Sequence, residues 1–396
     1  MKSNPPSKKL GKSECDFDIT QFGPVKLLII QPTTFCNLDC DYCYLPERHL
    51  KHNLSVELLE LIFRNLFLSL FVREDFTVVW HAGEPLSIPV QFYESAFKLI
   101  NEVSGKYNCK NYPFTHSIQT NGTLINQAWC DLIKKYNVKI GVSLDGPVFL
   151  HDAHRKTRTG LGTHAGTMRG ISSLQQNGIE FSVITVLTQE SLKYPDEIFE
   201  FFTENHIKRV GFNIEETEGI NLSSSLEDSE SEENYRTFMR RIYDLVKQSN
   251  NSVKVREFEQ IRRGICNGTH VTEGQSTPFT MLSIDYEGNF MTFSPELLSL
   301  ESEEYGKFIL GNVGQETFEK ACYSQKFRQI YSDIKAGVDL CEQSCQYFSV
   351  CGGGAPANKF YENGSFRSTE TMYCRLTKKI LVDLILEDIE SSLGLI

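Results

Sequence analysis

The chain has 396 residues, of which 40% are hydrophobic and 23% charged, and its formal net charge is −11. That acidic balance excludes the basic footprint of a nucleic-acid partner, and no apolar run approaches the ~20 residues of a membrane helix. The polar start, Met1 to Lys12, lacks the apolar stretch of a secretory signal, so a cytoplasmic location is expected.

From residue 25 to about 250, β-rich runs alternate with amphipathic segments. Strands are expected at 25–32, 76–80, 114–119, 139–144, 181–187 and 209–214. Helices are expected at 56–70, 91–103, 126–136, 167–176, 195–205 and 233–248. The first helix carries Leu58, Leu59, Ile62 and Leu66 at three- and four-residue steps. Six strand–helix repeats imply an α/β fold with a parallel sheet, a partial (β/α)6 TIM-like barrel whose site lies at the carboxyl ends of its strands. Residues 215–233 hold eight acids and no base, and read as an exposed loop. Beyond residue 252 the pattern is irregular, apart from a hairpin at 281–293 turning on Glu287-Gly288-Asn289 and a terminal helix at 376–391. The organisation expected is an arm (1–24), the barrel (25–250) and a cysteine-rich extension (251–396).

Twelve cysteines with no export signal point to metal ligands or catalytic thiols rather than disulfides. Cys15, Cys109, Cys130, Cys266 and Cys322 are scattered and read as idle or buried thiols. Cys36, Cys40 and Cys43 fall within eight residues just after the first strand. Three thiolates can hold three corners of an iron–sulfur cube and leave the fourth iron open to a chelating ligand. A structural zinc site, or a cluster that only transfers electrons, would want a fourth protein ligand.

The C-x3-C-x2-C spacing, with Tyr42 before the last cysteine, resembles the radical S-adenosylmethionine (SAM) superfamily. The resemblance implies a [4Fe–4S] cluster on Cys36, Cys40 and Cys43, with SAM chelating its open iron and cleaved to methionine and a 5′-deoxyadenosyl radical. It also assigns expected SAM contacts at successive strand ends. In His81-Ala82-Gly83-Glu84-Pro85, Gly83 allows close approach and Glu84 meets the SAM ammonium. Gln119, Asn121 and Asp145 lie in the turns after the third and fourth strands. Ser143 and Arg155 hold the SAM carboxylate, and Val186 and Leu187 flank the adenine.

Cys341, Cys345, Cys351 and Cys374, with Gly352-Gly353-Gly354 between them, could form a zinc ribbon on spacing alone. Beside the first motif they resemble the SPASM extension of peptide- and protein-modifying radical SAM enzymes. That extension commonly holds two auxiliary clusters. Here Phe293 and Ala355 stand at positions where further cysteines are usual, so one auxiliary [4Fe–4S] cluster is expected.

Sulfatase-maturing enzymes share this architecture, but the position of their catalytic aspartate is Ser294 here. The strings around Cys36, His81, Asn213 and Ser294 look most like ribosomal-peptide maturases that form cyclophane crosslinks. Excision of a tyrosine-derived unit and sulfatase-maturase-like oxidation stay open. So does a zinc-stabilised peptide-binding protein without catalysis. Glu215, Glu216, Glu296 and His81 are the candidate catalytic groups. Glu215 and Glu216 also have a bland reading as a solvated acidic loop, and His81 as a hydrogen-bonded rim histidine. The expected partners are a precursor peptide, a reductant such as flavodoxin or ferredoxin, and a separate leader-recognition protein. The acidic loop is an alternative leader-binding surface.

Overall fold

The computed structural model describes residues 18–267 and 273–395. Met1 to Lys12, read above for targeting, and Cys15 lie outside them. The first six strands are β1 (Leu27–Ile30), β2 (Phe76–Trp80), β3 (Phe114–Thr120), β4 (Lys139–Ser143), β5 (Phe181–Leu187) and β6 (Arg209–Ile214). They pair in sequence order, all parallel, as the alternation of strands and helices predicts. A two-residue strand, β7 (Lys254–Val255), extends the sheet beyond β6. On the other edge β8 (Met281–Ile284) runs parallel to β1, and β9 (Asn289–Thr292) turns back against β8. A separate pair, β10 (Glu301–Ser302) and β11 (Gly306–Lys307), precedes β12 (Gly311–Asn312), which closes the edge beside β9. The result is one ten-stranded sheet, so the expected division at residue 250 falls inside it rather than between two sheets.

The helices form where side-chain caps and apolar stripes coincide. Ser55 caps Val56–Leu68 by accepting from the Leu58 amide, and Leu59, Ile62, Phe63, Leu66 and Phe67 bury one face. Asn126 caps Gln127–Tyr136 in the same way. The stretch expected to be irregular also carries helices, the longest being Arg256–Asn267 and the twenty-residue Gln325–Ser344, capped by Ser324. No helix among the described residues is long and apolar enough to cross a membrane.

Side-chain alternation along the strands decides what reaches the inner face. In β2, Phe76, Val78 and Trp80 are buried, while Val79 lines the central cavity. In β5, Val183, Thr185 and Leu187 are buried, while Ile184 and Val186 line the cavity. Neighbours on a strand face opposite sides, so Val186 and Leu187, both expected beside the adenine, do not share a face. Val186 can meet a ligand, but Leu187 belongs to the hydrophobic core.

Candidate functional site

The cysteine loop leaves β1 and is pinned at its carbonyls. Arg158 donates to Cys36 O through Nε (3.3 Å) and Nη2 (3.0 Å), and Arg48 donates to Cys40 O at 2.9 Å. The Cys36 amide donates to Arg48 O at 2.9 Å and the Asp39 amide to Lys156 O at 2.8 Å. Beneath the loop runs the His81–Pro85 turn. A Cβ at Gly83, where φ is +59°, would lie 2.6 Å from the carbonyl oxygens of both Thr33 and Phe35. Only glycine permits that approach. Ala82 also sits at positive φ, +74°.

Burial first, then the charges of Glu84 and the neighbouring thiols, push the Cys36 thiol up to about 12. Burial pushes Cys40 to about 11, against the opposing pull of Arg155. Cys36 and Cys40 need further positive charge to ionise, and an iron cluster held by them and the half-buried Cys43 would bring it as it displaced their protons. The donor set therefore fits the cluster.

Around this loop the expected SAM contacts divide into two groups. Gln119, Ser143, Arg155, Val186 and Tyr42 line one cavity of about 460 Å³, together with Cys40 and Cys43. Gln119 Nε2 donates to Ser143 Oγ at 3.0 Å. Glu84, Asn121 and Asp145 lie behind it as supports. Glu84 accepts from the Leu86 amide (2.9 Å), Thr120 Oγ1 (2.7 Å) and the Asn121 amide (2.8 Å), joining the turn after β2 to the end of β3. Burial raises its pKa in spite of those three bonds. Asn121 Nδ2 donates to Asn37 Oδ1 at 2.9 Å and reaches Cys36 Sγ at 3.9 Å, so it steadies the cysteine loop.

Asp145 is the hub of the support. It accepts from Arg155 Nε (2.9 Å) and Nη2 (3.1 Å), from the Tyr42 hydroxyl (2.5 Å) and from the Val186 amide (3.0 Å). Burial works to raise its pKa, but the Arg155 guanidinium and the hydrogen bonds outweigh that and hold it low. Arg155 lies 5.4 Å from the centre of the Tyr42 ring.

The far wall of the cavity is acidic. Glu215, Glu216 and Glu218 follow β6, and Glu296 comes from the turn Pro295–Leu297. Burial is the main cause that raises Glu216 to about 8 and Glu296 to about 7. Glu218 is also raised by burial, then by Glu216 and Glu296. Sequence reasoning passed over Glu218 as one acid of a surface loop, although its position four residues beyond the strand end was the available signal. Glu215 turns toward Ser225, whose amide donates to Oε2 at 2.8 Å. His81 lines the same cavity, and burial lowers its pKa to about 4, which keeps the ring neutral. The outer acids behave as the bland reading expects. Glu232 pairs with Arg375 at 2.6 Å, and Glu227 accepts from Thr217 Oγ1 at 2.7 Å.

Cys341, Cys345, Cys351 and Cys374 line a single pocket, as their spacing requires. Gly352, Gly353 and Gly354 all have positive φ, which carries the chain around it. Lys359 is buried, and its ammonium donates to Gly337 O at 2.8 Å and Cys341 Sγ at 3.4 Å. A buried cation with only a carbonyl and a thiol for company fits a thiolate-rich, anionic group there. Among the described residues no three Cys, His, Asp or Glu side chains converge as tightly as one metal ion needs. Thiolates around one zinc would stand ~4 Å apart, whereas a cube separates them further. Phe293 is fully buried at φ +94° and stacks on Phe327, with ring centroids 6.1 Å apart. An aromatic core thus fills the position where a further cysteine would stand.

Residues 30–202 match the family model of the Radical SAM superfamily. An uncharacterized protein of Synechocystis is 52% identical over 98% of both chains. The serine-type anaerobic sulfatase-maturating enzyme of Bacteroides thetaiotaomicron is 26% identical over 85% of this chain and 84% of its own. The fold recurs in native anSMEcpe solved with bound AdoMet and Cp18Cys peptide, at TM-score 0.75 and 21% identity, covering 94% of this chain and 99% of that one. It recurs again in Streptococcus suis SuiB bound to precursor peptide SuiA, at TM-score 0.62 and 16% identity, over 90% and 77% of the two chains. With the three-cysteine loop, the four-thiol pocket and a match running from the end of β1 past β5, the chain carries a radical SAM domain and is an enzyme that uses SAM and [4Fe–4S] clusters.

Proposed function

We propose that this enzyme modifies a side chain of a peptide or protein by removing a hydrogen from Cβ and joining that carbon to a nearby aromatic ring, a cyclophane-type crosslink. One observation carries the reading. Cys40 and Cys43 face Glu216 and Glu296 across a single cavity, and both carboxyls have pKa values near neutrality. Bound at the first cysteine group, cluster and SAM supply the hydrogen-abstracting radical, while the second group holds an acceptor for one electron. The residues of the chain manage the remainder. Tyr42, Ser143 and Arg155 orient SAM, with Arg155 itself held by Asp145. As the new C–C bond forms and the ring C–H breaks, Glu216 or Glu296 takes the proton, and its pKa suits that transfer near pH 7. The substrate loses two hydrogens, one as an atom and one as proton plus electron.

Oxidation of a substrate hydroxyl or thiol to an aldehyde is the second reading. The relatives named as sulfatase-maturating enzymes support it. Ser294 stands at the position of their aspartate, but it is buried and donates to Gln275 Oε1 at 2.6 Å. A carboxyl returns to the cavity two residues later, at Glu296. Co-expression with neighbouring small open reading frames, followed by mass spectrometry, separates the two. A peptide lighter by two hydrogens, resistant to fragmentation across the linked residues and inert to hydrazide, supports the crosslink. A hydrazide-reactive aldehyde overturns it in favour of oxidation.

A further inference from the structure

We propose that Glu216, Glu218 and Glu296, with the hydroxyl of Tyr44, form a pocket for a cationic side chain, lysine or arginine, of the peptide substrate; this rests on the peptide-modifying reading. Three separate elements build the pocket. Glu216 and Glu218 come from the loop after β6, Glu296 from the Pro295–Leu297 turn, and Tyr44 from the cysteine loop next to Cys43. All four line the cavity that holds Cys40 and Cys43.

The loop is fixed with its acids inward. The Ile220 amide donates to Tyr44 O at 3.1 Å, and a Cβ on Gly219 (φ +58°) would lie 2.2 Å from that same oxygen. Asn221 Nδ2 donates to Glu216 O at 2.8 Å, and Asn358 Nδ2 donates to Glu216 Oε2 at 2.6 Å. The Tyr361 hydroxyl donates to Glu296 O at 3.1 Å. These bonds hold backbone and one carboxylate edge, and none brings a positive charge.

None of the ion pairs between described residues includes any of the three glutamates. Arg256 is the arginine that acts on Glu216, but its guanidinium is committed to Asn213 Oδ1 (2.7 Å) and Glu257. The Tyr44 hydroxyl is buried and has no hydrogen-bond partner among the described residues. Carboxyls set in a cavity without a counter-charge ionise reluctantly, and a buried hydroxyl left unbonded is costly. A cation arriving with the substrate would satisfy both. The spacing favours an organic cation over a metal ion, because no three of these side chains converge as a single ion requires. A guanidinium or ammonium carries several donors and accepts such a spread.

The test uses cluster-loaded, SAM-bound enzyme and defined probes. Titration calorimetry compares acetyl-Gly-Phe-Arg-Gly-amide with its citrulline counterpart, and acetyl-Gly-Phe-Lys-Gly-amide with its norleucine counterpart. At least one cationic peptide should bind about tenfold or more tightly than its neutral isostere. Glu218→Gln and Tyr44→Phe should each bring that ratio toward unity. Equal affinity within both pairs overturns the proposal, and so does failure of all four to bind. Competition by Mg²⁺ or Ca²⁺ at the same site overturns it in favour of a metal. Iron content and circular dichroism report whether the variants fold; should both fail, the comparison of isosteres on the parent enzyme still decides. Peptide modification is judged separately by the mass-spectrometric experiment, so either reading can fall without the other.

Discussion

Removing the carboxylate of Asp145 should destabilise this enzyme more than any surface change, because it leaves a buried arginine without its counter-ion. Asp145 and Arg155 are 2% and 7% exposed, and two charge-assisted bonds at 2.9 and 3.1 Å join them. Tyr42 and the Val186 amide lose their acceptor at the same time. Breaking one member of a buried pair costs ~3–5 kcal/mol, against ~0–1 kcal/mol for an exposed pair. Asp145→Ala should therefore lower unfolding stability by ~3–5 kcal/mol, and Asp145→Ala/Arg155→Met should recover part of the loss. Urea unfolding of the metal-free protein, followed through buried Trp80 and Trp129, measures both. The folded-state pKa of Asp145 is depressed, so its contribution is present above the unfolded value of ~3.9 and is lost as pH falls through the folded one. The difference between parent and Asp145→Ala should thus shrink only in strong acid. A loss below ~1 kcal/mol, or a double variant no better than the single, would refute the reasoning.

Anaerobic reconstitution should give ~8 irons per chain, and alanine at Cys36, Cys40 and Cys43 should abolish 5′-deoxyadenosine formation, which liquid chromatography detects. Lys359→Met should reduce iron to ~4 per chain while SAM cleavage persists; full iron retention would deny the ammonium its role at Cys341. Glu216 and Glu296 have raised folded-state pKa values, so the folded metal-free protein holds protons that the unfolded chain releases. Its stability should fall as pH rises from about 5 to 8, and Glu216→Gln/Glu296→Gln should flatten that slope in thermal melts.

The barrel was legible because each strand ends beside a turn motif, and periodicity placed all six strands within about two residues. The four-thiol pocket was legible for a similar reason, since spacing alone grouped Cys341 with Cys374. The helix Gln325–Ser344 was equally readable in principle: Phe327, Ile330, Ile334 and Cys341 fall on one face behind the Ser324 cap. What spacing could not show is where charged groups turn. Glu84 and Asp145 read from their motifs as ligand contacts, and spacing gave no sign that their carboxylates also accept from Thr120, Asn121, Arg155 and Tyr42. Arg48 and Arg158 were invisible as supports of the cysteine loop, because they act on its carbonyls, which no side-chain motif records, and Arg158 does so from 122 residues away. The acidic segment split in two: Glu216 and Glu218 turn inward, while Glu227 and Glu232 serve the loop and Arg375.

The two cysteine groups lie on one continuous framework, and that decides how they can cooperate. β8 pairs with β1, the strand that delivers the first cysteine loop, so the extension shares the sheet of the barrel. Ser276 Oγ reaches Gly354 O at 3.1 Å, tying the approach to β8 to the glycine turn of the second group. Tyr373, adjacent to Cys374, lines both the four-thiol pocket and the central cavity. A substrate radical formed in the cavity would therefore be separated from the second group by one aromatic side chain. Four protein thiolates around one cluster would leave no vacant position for a substrate to ligate. On the proposed reading, electron acceptance through Tyr373 is the task that falls to the second group. Tyr373→Leu should slow product formation more than it slows 5′-deoxyadenosine release, since the first event needs that route and the second precedes it. Equal slowing of both would place Tyr373 in substrate binding instead.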